Sequence, residues 1–195
     1  MTLRKTSLLL TAAIFALPLG ACATMADGTS NMQAEQTVMV GGAAMYASRN
    51  IVENAVNSRD HTTLVAAVKA ADLVDTLSGA GPFTVFAPTH AAFAALPAGT
   101  VDTLLKPENK AMLQSILTYH VVPGRLTASD LMAQIRSGGG TAQLRTVQGG
   151  ILTASMQGNA VVLTDAKGGT ATVTQADVLQ SNGVIHVTNS VSLPS

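Results

Sequence analysis

The apolar residues between positions 50 and 80 have the spacing of short amphipathic helices. Residues 50–56 place apolar side chains at positions i, i+1, i+4 and i+5, which predicts a short helix. A longer helix is expected after Asp60, its predicted N-cap, and it should end before Gly79 and Gly81. The apolar stripe of this longer helix consists of Leu64, Val65, Val68, Leu73, Val74 and Leu77.

A β-prone run with a proline at each end interrupts the helices. Residues 82–88 predict a strand that leaves a turn. Thr89 is the expected N-cap of the helix that follows, and Phe93 lies on the inner side of that helix. Pro107 suits the first turn of another helix, because the N–H that proline lacks is not needed there. The inner face of this last helix consists of Leu113, Ile116 and Leu117.

Most of the chain after residue 118 has the pattern of strands. Residues 119–122 predict a strand, and Thr127 or Ser129 is the expected cap of one more short helix. Further strands, separated by turns that contain Gly or Asn, are predicted at 151–156, 160–164, 170–179 and 184–187. Helices first and strands later indicate an α+β fold with a mostly antiparallel sheet. No repeat of about 20–50 residues is visible, so one domain is predicted.

The N-terminus has the features of a bacterial lipoprotein signal. Arg4 and Lys5 supply a positive charge, and the apolar run 8–17 that follows is shorter than the roughly 20 residues that a permanent membrane span needs. The single cysteine of the chain, Cys22, ends the sequence Leu-Gly-Ala-Cys, which resembles a lipobox. We therefore predict that residues 1–22 are a signal peptide that ends at Cys22, the site of lipidation.

Two other fates of this segment remain open. Ala21-Cys22-Ala23 also fits ordinary signal cleavage, which would release a periplasmic or secreted protein, and an uncleaved anchor is a third alternative. The residue after Cys22 is not Asp, which favours the outer membrane over the inner membrane. Residues 23–46 are predicted to be a flexible tether, because they lack a sustained helical or strand period. Residues 47–195 are then the folded domain.

Composition excludes several classes of function. Only 11% of the residues are charged, against roughly 25% in a typical soluble domain. The formal net charge is +0, and loss of Arg4 and Lys5 with the signal makes it −2. No basic run is present and only 3% of the residues are aromatic, so nucleic-acid binding is not expected. A single cysteine excludes an internal disulfide and a multi-cysteine metal site.

Three segments together resemble the fasciclin (FAS1) domain family. They are residues 81–89 with Ala92-Phe93, residues 119–122 with Gly124, and residues 182–187. The beginning of the resemblance is Asp60-His61-Thr62-Thr63-Leu64, and in total it covers about residues 47–195. The residues that carry the family motifs are Thr84, Phe86, Ala87, Pro88, Thr89, Phe93, Asn182, Gly183 and His186.

The resemblance implies a wedge-shaped β-sandwich of mostly antiparallel strands, with several short helices packed on it. It also implies a role in cell adhesion or extracellular protein interaction, without a common catalytic activity. In animal relatives the Tyr-His element has been implicated in integrin binding, and here this element is Tyr119 and His120, the candidate partner-contact residues. The chain departs from the family pattern at His90, Asn189 and Ser192.

Structural rather than catalytic or metal-binding roles are expected for most residues with polar or titratable side chains. His120 and His186 lie in apolar runs and are predicted to be neutral, hydrogen-bonded core residues rather than metal ligands. Ser129 and Asp130 fit a helix cap better than a hydrolase triad with His120, because no nucleophile elbow is present. We expect no catalytic residues, no metal and no cofactor.

The sequence leaves two functions open. The first is an envelope-anchored, non-catalytic adhesion or protein-interaction module, held in the membrane through its N-terminal lipid and contacting an unidentified protein, envelope or matrix partner. The second is a periplasmic accessory or ligand-binding subunit of an envelope complex.

Overall fold

Seven α-helices and two short 3-10 helices are present in residues 37–194, the part of the chain that this computed structural model describes. The α-helices are α1 (Ile51–Ala55), α2 (Thr62–Ala70), α3 (Val74–Ser78), α4 (His90–Ala94), α5 (Thr100–Leu104), α6 (Lys110–Tyr119) and α7 (Ala128–Ser137). The 3-10 helices are Arg59–His61 and Pro107–Asn109. None of these helices has the length and apolar character that crossing a bilayer would require.

The strands form one hairpin and one seven-stranded sheet. The hairpin is β1 (Thr37–Val40) and β2 (Ala43–Tyr46). The strands of the sheet are β3 (Phe83–Pro88), β4 (Val121–Pro123), β5 (Thr141–Arg145), β6 (Ile151–Gln157), β7 (Ala160–Thr164), β8 (Thr170–Gln180) and β9 (Gly183–Thr188). Their order is β4-β3-β9-β8-β7-β6-β5, and every pair is antiparallel except β3 with β9. The predicted α+β class with a mostly antiparallel sheet is confirmed.

The two ends of the sheet approach each other. The N–H of Val147, just beyond β5, donates to the carbonyl oxygen of Val121 in β4 at 2.8 Å. The N–H of Gln148 donates to the carbonyl oxygen of Thr118, at the end of α6, at 3.3 Å. The sheet therefore curls until its edge strands meet, which covers part of the backbone that open edges would expose.

Two hydrophobic cores lie on opposite sides of the central strands. Side chains in a strand alternate between faces, and in β3 Val85 and Ala87 belong to one core whereas Phe86 belongs to the other. In the same way Val121 and Val122 of β4 divide between the two cores. We call the first the helical core, because α1 to α6 and the β1–β2 hairpin contribute to it. The second is the strand core, formed by β5 to β8 and α7.

The predicted helix between Asp60 and Gly79 is broken into two. Helix α2 ends at Ala70, and Asp72 adopts a left-handed conformation with φ of 54° before α3 begins. Asp60 lies in the 3-10 helix that precedes α2 and is not its N-cap. Of the apolar stripe, Leu64, Val68 and Leu77 are buried, whereas Val65, Leu73 and Val74 are half-buried. The stripe did not reveal the break, because two short helices with one shared apolar face give the same spacing as one long helix.

The predicted tether was wrong for its last ten residues. Strands β1 and β2 occupy residues 37–46, and Val40 and Met45 are buried in the helical core. The hydroxyl of Ser58 donates to the carbonyl oxygen of Val40, which holds the hairpin against the domain. A hairpin signal was present in the sequence, since Gly41-Gly42 separates the two strands. The rest of the tether, the predicted signal peptide and Cys22 lie outside the described residues.

Candidate functional site

The motif-bearing segments meet where β3 lies between β4 and β9. Phe86 is directly opposite His186 in the parallel β3–β9 pair, and their rings stack with centroids 5.5 Å apart. Phe86 is 1% exposed and His186 is 0% exposed. The sequence-predicted residues of the first and third segments are thus brought together, but in the interior of the domain rather than at its surface.

The other motif residues of the first segment also have structural positions. They are Thr84, Ala87, Pro88, Thr89 and Phe93. The Thr84 hydroxyl donates to the carbonyl oxygen of Gly124 at 2.7 Å and accepts from the N–H of Leu126 at 2.8 Å, which ties β3 to the chain that follows β4. Ala87 and Pro88 pair with β9. The Thr89 hydroxyl accepts from the N–H of Ala92 as the N-cap of α4, as predicted, and Phe93 packs in the helical core.

Asn182 joins three parts of the domain through its amide. Its Oδ1 accepts from the N–H of Ile51 at 3.0 Å, and its Nδ2 donates to the carbonyl oxygens of Leu77 at 2.8 Å and Gly79 at 2.9 Å. A Cβ on the next residue, Gly183, would lie 2.1 Å from the carbonyl oxygen of Phe83. The Asn-Gly pair is therefore required by hydrogen bonding at one residue and by close backbone approach at the other.

Both ring nitrogens of His120 bind backbone groups. Its Nδ1–H donates to the carbonyl oxygen of Ile116 at 2.8 Å, and its Nε2 accepts from the N–H of Ser192 at 3.0 Å. Because Nε2 must keep a lone pair for Ser192, the imidazole is neutral. Burial lowers the pKa of His120, although the Ile116 carbonyl and the Asp165 carboxylate oppose this effect. His120 thus links α6 to the C-terminal segment.

His186 has the same kind of environment with its two nitrogens exchanged. Nε2–H donates to the carbonyl oxygen of Leu126 at 2.8 Å, and Nδ1 accepts from the N–H of Asp177 at 3.3 Å. Burial lowers the pKa of His186, and the Leu126 carbonyl and the Asp177 carboxylate oppose the shift. The prediction of neutral, hydrogen-bonded core histidines is confirmed for His120 and His186.

Tyr119 fixes the strand core to the helices. Its hydroxyl donates to the carbonyl oxygen of Ile151 at 2.7 Å and accepts from the N–H of Ala166 at 3.1 Å. Burial raises the pKa of the phenol, whereas the Ala166 N–H opposes this shift. The predicted strand at 119–122 is wrong at its first two residues, since Tyr119 ends α6 and His120 is its C-cap.

Comparison with known proteins identifies the family of this chain. A family model described as the Fasciclin domain matches residues 59–194. The chain belongs to the fasciclin domain family. Two relatives come from Synechocystis sp.: the protein sll1483 is 52% identical over 82% of this chain and 82% of its own length. The uncharacterized protein sll1735 is 44% identical over 74% of this chain and 97% of its own length.

A mycobacterial relative and a solved structure extend the comparison. The cell surface glycolipoprotein MPB83 of Mycobacterium bovis is 41% identical over 52% of this chain and 47% of its own length. The structure of a FAS1 domain pair from the insect cell adhesion molecule fasciclin I superposes with a TM-score of 0.66 at 18% identity. That superposition covers 73% of this chain and 50% of the insect chain, and it confirms the wedge-like fasciclin fold.

The prediction that Tyr119 and His120 are partner-contact residues does not hold for this fasciclin domain as folded. Tyr119 is 0% exposed and His120 is 3% exposed. The Tyr119 hydroxyl and both nitrogens of His120 are already bonded to backbone groups. A partner would reach His120 only after α6 and the C-terminal segment had separated, and the Tyr119 hydroxyl only after its bonds to Ile151 and Ala166 had broken.

The structure does not form the hydrolase triad that Ser129, Asp130 and His120 would make. Asp130 accepts from the hydroxyl and the N–H of Thr127 in the capping box of α7, which lowers the pKa of its carboxyl. Both ring nitrogens of His120 bind backbone groups, so neither is available to Ser129 or Asp130. No group of three or more His, Cys, Asp or Glu residues between positions 37 and 194 has the geometry to hold a metal ion.

Sequence reasoning missed two features. The first is Asp165, whose carboxylate accepts from the N–H groups of Lys167, Gly169 and Leu193 and so anchors the C-terminal segment. An Asp before a Lys-Gly-Gly turn was the available signal. The second is an apolar slot bounded by α1, α2, α3, β3 and α6. No sequence signal identified the slot, because its residues look like ordinary core positions.

Proposed function

We propose that this protein is an exported, non-catalytic fasciclin-domain protein that acts in cell adhesion or in extracellular protein interaction. Membership of the fasciclin family supports this proposal. Its relatives include a protein named for the cell surface, and a cell adhesion molecule has the same fold. The observation that carries the proposal is that the polar residues of the family segments are buried and stabilise the interior of the domain. The function is therefore expected to depend on the outer surface of the domain and on where the protein is located.

Anchoring through a lipid on Cys22 is the second part of the proposal. The cell surface relative is a glycolipoprotein, and the N-terminal 22 residues have the pattern of a lipoprotein signal. Ala23 after the cysteine favours the outer membrane, with the domain facing the periplasm or the cell surface. The alternative is a mature protein that is free in the periplasm or secreted.

Mass spectrometry of the mature N-terminus tests the anchor. The expected result is a chain that begins at Cys22 and carries the added mass of acyl groups. A chain that begins at Thr24 without added mass would show release by ordinary cleavage. A Cys22→Ser variant is the matched control, because it removes the acylated sulfur and leaves the apolar run of the signal unchanged.

Attachment of cells tests the adhesive role. A deletion strain should attach to surfaces and form biofilm less well than its parent, and the wild-type gene should restore both. Complementation with the Cys22→Ser variant should restore less than the wild type if location at the envelope is required. Normal surface attachment and normal biofilm formation by the deletion strain would refute the adhesive role and would leave the family assignment unaffected.

A further inference from the structure

The apolar slot is a small cavity within the helical half of the domain. It has a volume of about 40 Å³ and lies under α2, with inner walls that include Ile51, Leu64, Val68 and Leu77. These four side chains are buried, whereas the mouth is formed by residues that remain partly in contact with solvent. The slot is therefore a narrow apolar recess that opens to the surface.

Water is a poor occupant of this slot. A buried water normally makes about three hydrogen bonds. Among the residues that line the slot, only His120 and Lys69 carry a polar side-chain group. Both nitrogens of His120 already bind backbone groups, so they offer nothing to a water molecule. An apolar occupant would cover these walls without the loss of hydrogen bonds that a water would suffer.

The mouth of the slot carries an unmatched positive charge. Val52, Val65 and Val74 are half-buried there, and Lys69 is exposed beside them. The nearby carboxylate of Asp72 is paired with Lys110. No carboxylate forms a salt bridge with Lys69 among the residues that the structure describes. The recess thus combines apolar walls with one cationic group at its entrance.

We propose that the slot binds the alkyl end of a non-esterified fatty acid, whose carboxylate pairs with Lys69. One water needs about 10–15 Å³ of such volume. The 40 Å³ of the slot therefore matches the last few carbons of a single chain, and the next methylenes lie along Val52, Val65 and Val74. A two-chain phospholipid fits this single recess less well. This binding site goes beyond the proposed adhesive function and does not depend on it.

The experiment uses the domain fragment 34–195. The described domain contains both cores, and a relative that aligns with 74% of this chain has almost no sequence outside the alignment, so we expect the domain to fold without a further one. Without Cys22 the fragment carries no acyl group and needs no detergent that would compete for the slot. Decanoate is titrated into the fragment, and methyl resonances are followed by NMR.

Saturable shifts confined to methyl groups around the slot, including those of Val65, Val68 and Leu77, are the expected result. Each additional buried methylene should strengthen binding about fourfold, until the slot is full. Val65→Phe fills the mouth and should weaken decanoate binding at least tenfold. A folded spectrum for this variant is the condition for interpreting its loss of binding.

Lys69→Gln supplies a second test that does not depend on repacking, because Lys69 is exposed. It should weaken decanoate binding about two- to fivefold, the range for an exposed ion pair, and leave decanol binding unchanged. Lys167→Gln, at an exposed site away from the slot, is the matched control and should change neither.

Several outcomes would overturn the proposal. These are the absence of saturable shifts, shifts away from the slot, or equal effects of Lys69→Gln on decanoate and decanol. Binding to vesicles of phosphatidylglycerol and phosphatidylethanolamine without binding to decanoate would also overturn it, since membrane lipid would then be the ligand. Failure of any of these tests leaves the adhesive role and the Cys22 anchor untouched, because neither uses the slot.

Discussion

The helical core and the strand core solve the same packing problem in different ways. The helical core is assembled from short helices and the β1–β2 hairpin, and it leaves the open apolar slot between α1, α2 and α3. The strand core is closed by alternating side chains of β5 to β7 and by one face of α7. Tyr119 and Asp165 add hydrogen bonds at the border of the strand core. Strand register thus fixes most of the strand side, with these two side chains adding links at its border. On the helical side, the side chain of Asn182 joins α1 and α3 to the β8–β9 turn.

Strands β3 and β9 lie between the two cores and form a wall that both cores share. This position explains why the family segments in these strands are so rich in apolar residues. Strands with one wet face alternate apolar and polar residues, but β3 and β9 are buried on both faces and read as nearly continuous apolar runs. The few polar residues in the wall, including Thr84 and His186, are bonded to backbone. Damage to the wall should therefore affect both cores, whereas damage beside it should affect one.

The largest effect is expected from Phe86→Ala. Removal of this buried ring should lower the free energy of unfolding by about 3–5 kcal/mol, because a large cavity opens next to His186. Hydrogen exchange should show loss of protection in both α2 and β6. Phe93→Ala, which creates a cavity only in the helical core, is the matched control. Protection lost in β6 but kept in α2 would contradict the idea of a shared wall.

Asn182→Ala should have the next largest effect. Three hydrogen bonds between the β8–β9 turn, α1 and α3 are lost, which should lower the free energy of unfolding by about 2–4 kcal/mol. Asn189→Ala is the control, because Asn189 is exposed and its side chain accepts only from the N–H of Thr172. Urea unfolding measures both. Equal losses in the two variants would show that Asn182 is not a special link.

Most of the strand half of the domain was predicted from the sequence, although β5 was not among the predicted strands. The β6–β7 hairpin, β8 and β9 have nearly the predicted bounds, because strand period and turn residues are local signals. Thr89 is an N-cap, as predicted, and of the two candidate caps Thr127 and Ser129 it is Thr127 that caps α7. The parallel pairing of β3 with β9 was not predictable from local pattern, since it joins residues about a hundred positions apart.

The candidate site was predicted less completely. The segments that resemble the fasciclin family correctly selected residues that meet in space, such as Phe86 and His186. The core position of His120 was predicted, but partner contact through Tyr119 and His120 was left open, because a Tyr-His pair has the same letters whether it faces the core or solvent. The apolar slot depends on how α2 and α3 are angled at Asp72, which apolar spacing does not encode.

A smaller effect is expected from Tyr119→Phe. The ring stays, but the carbonyl oxygen of Ile151 and the N–H of Ala166 lose their partner, which should lower the free energy of unfolding by about 1–3 kcal/mol. Tyr46→Phe keeps the ring that packs against Arg49 and should change stability by less than about 0.5 kcal/mol. Thermal unfolding of both variants tests the role of the Tyr119 hydroxyl in holding the strand core.

The smallest effect concerns the dependence of stability on pH. Burial lowers the pKa of His61, His120 and His186 below the ordinary value of 6.5 in the folded chain. As the pH falls towards and below about 6.5, these histidines therefore bind protons in the unfolded chain but not in the folded chain. The free energy of unfolding should change little from pH 8 to 7 and should decrease more steeply as the pH is lowered further.

His120→Gln isolates one part of this dependence and asks whether the link between α6 and the C-terminal segment is the one that acid breaks. Gln does not titrate and can still accept from the N–H of Ser192, so the variant should lose stability less steeply below pH 6.5. The difference corresponds to at most one proton, less than about 1 kcal/mol between pH 7.5 and 6. Urea unfolding at several pH values measures it. An unchanged profile for His120→Gln would place the acid sensitivity at His61 or His186, and thus away from the C-terminal segment.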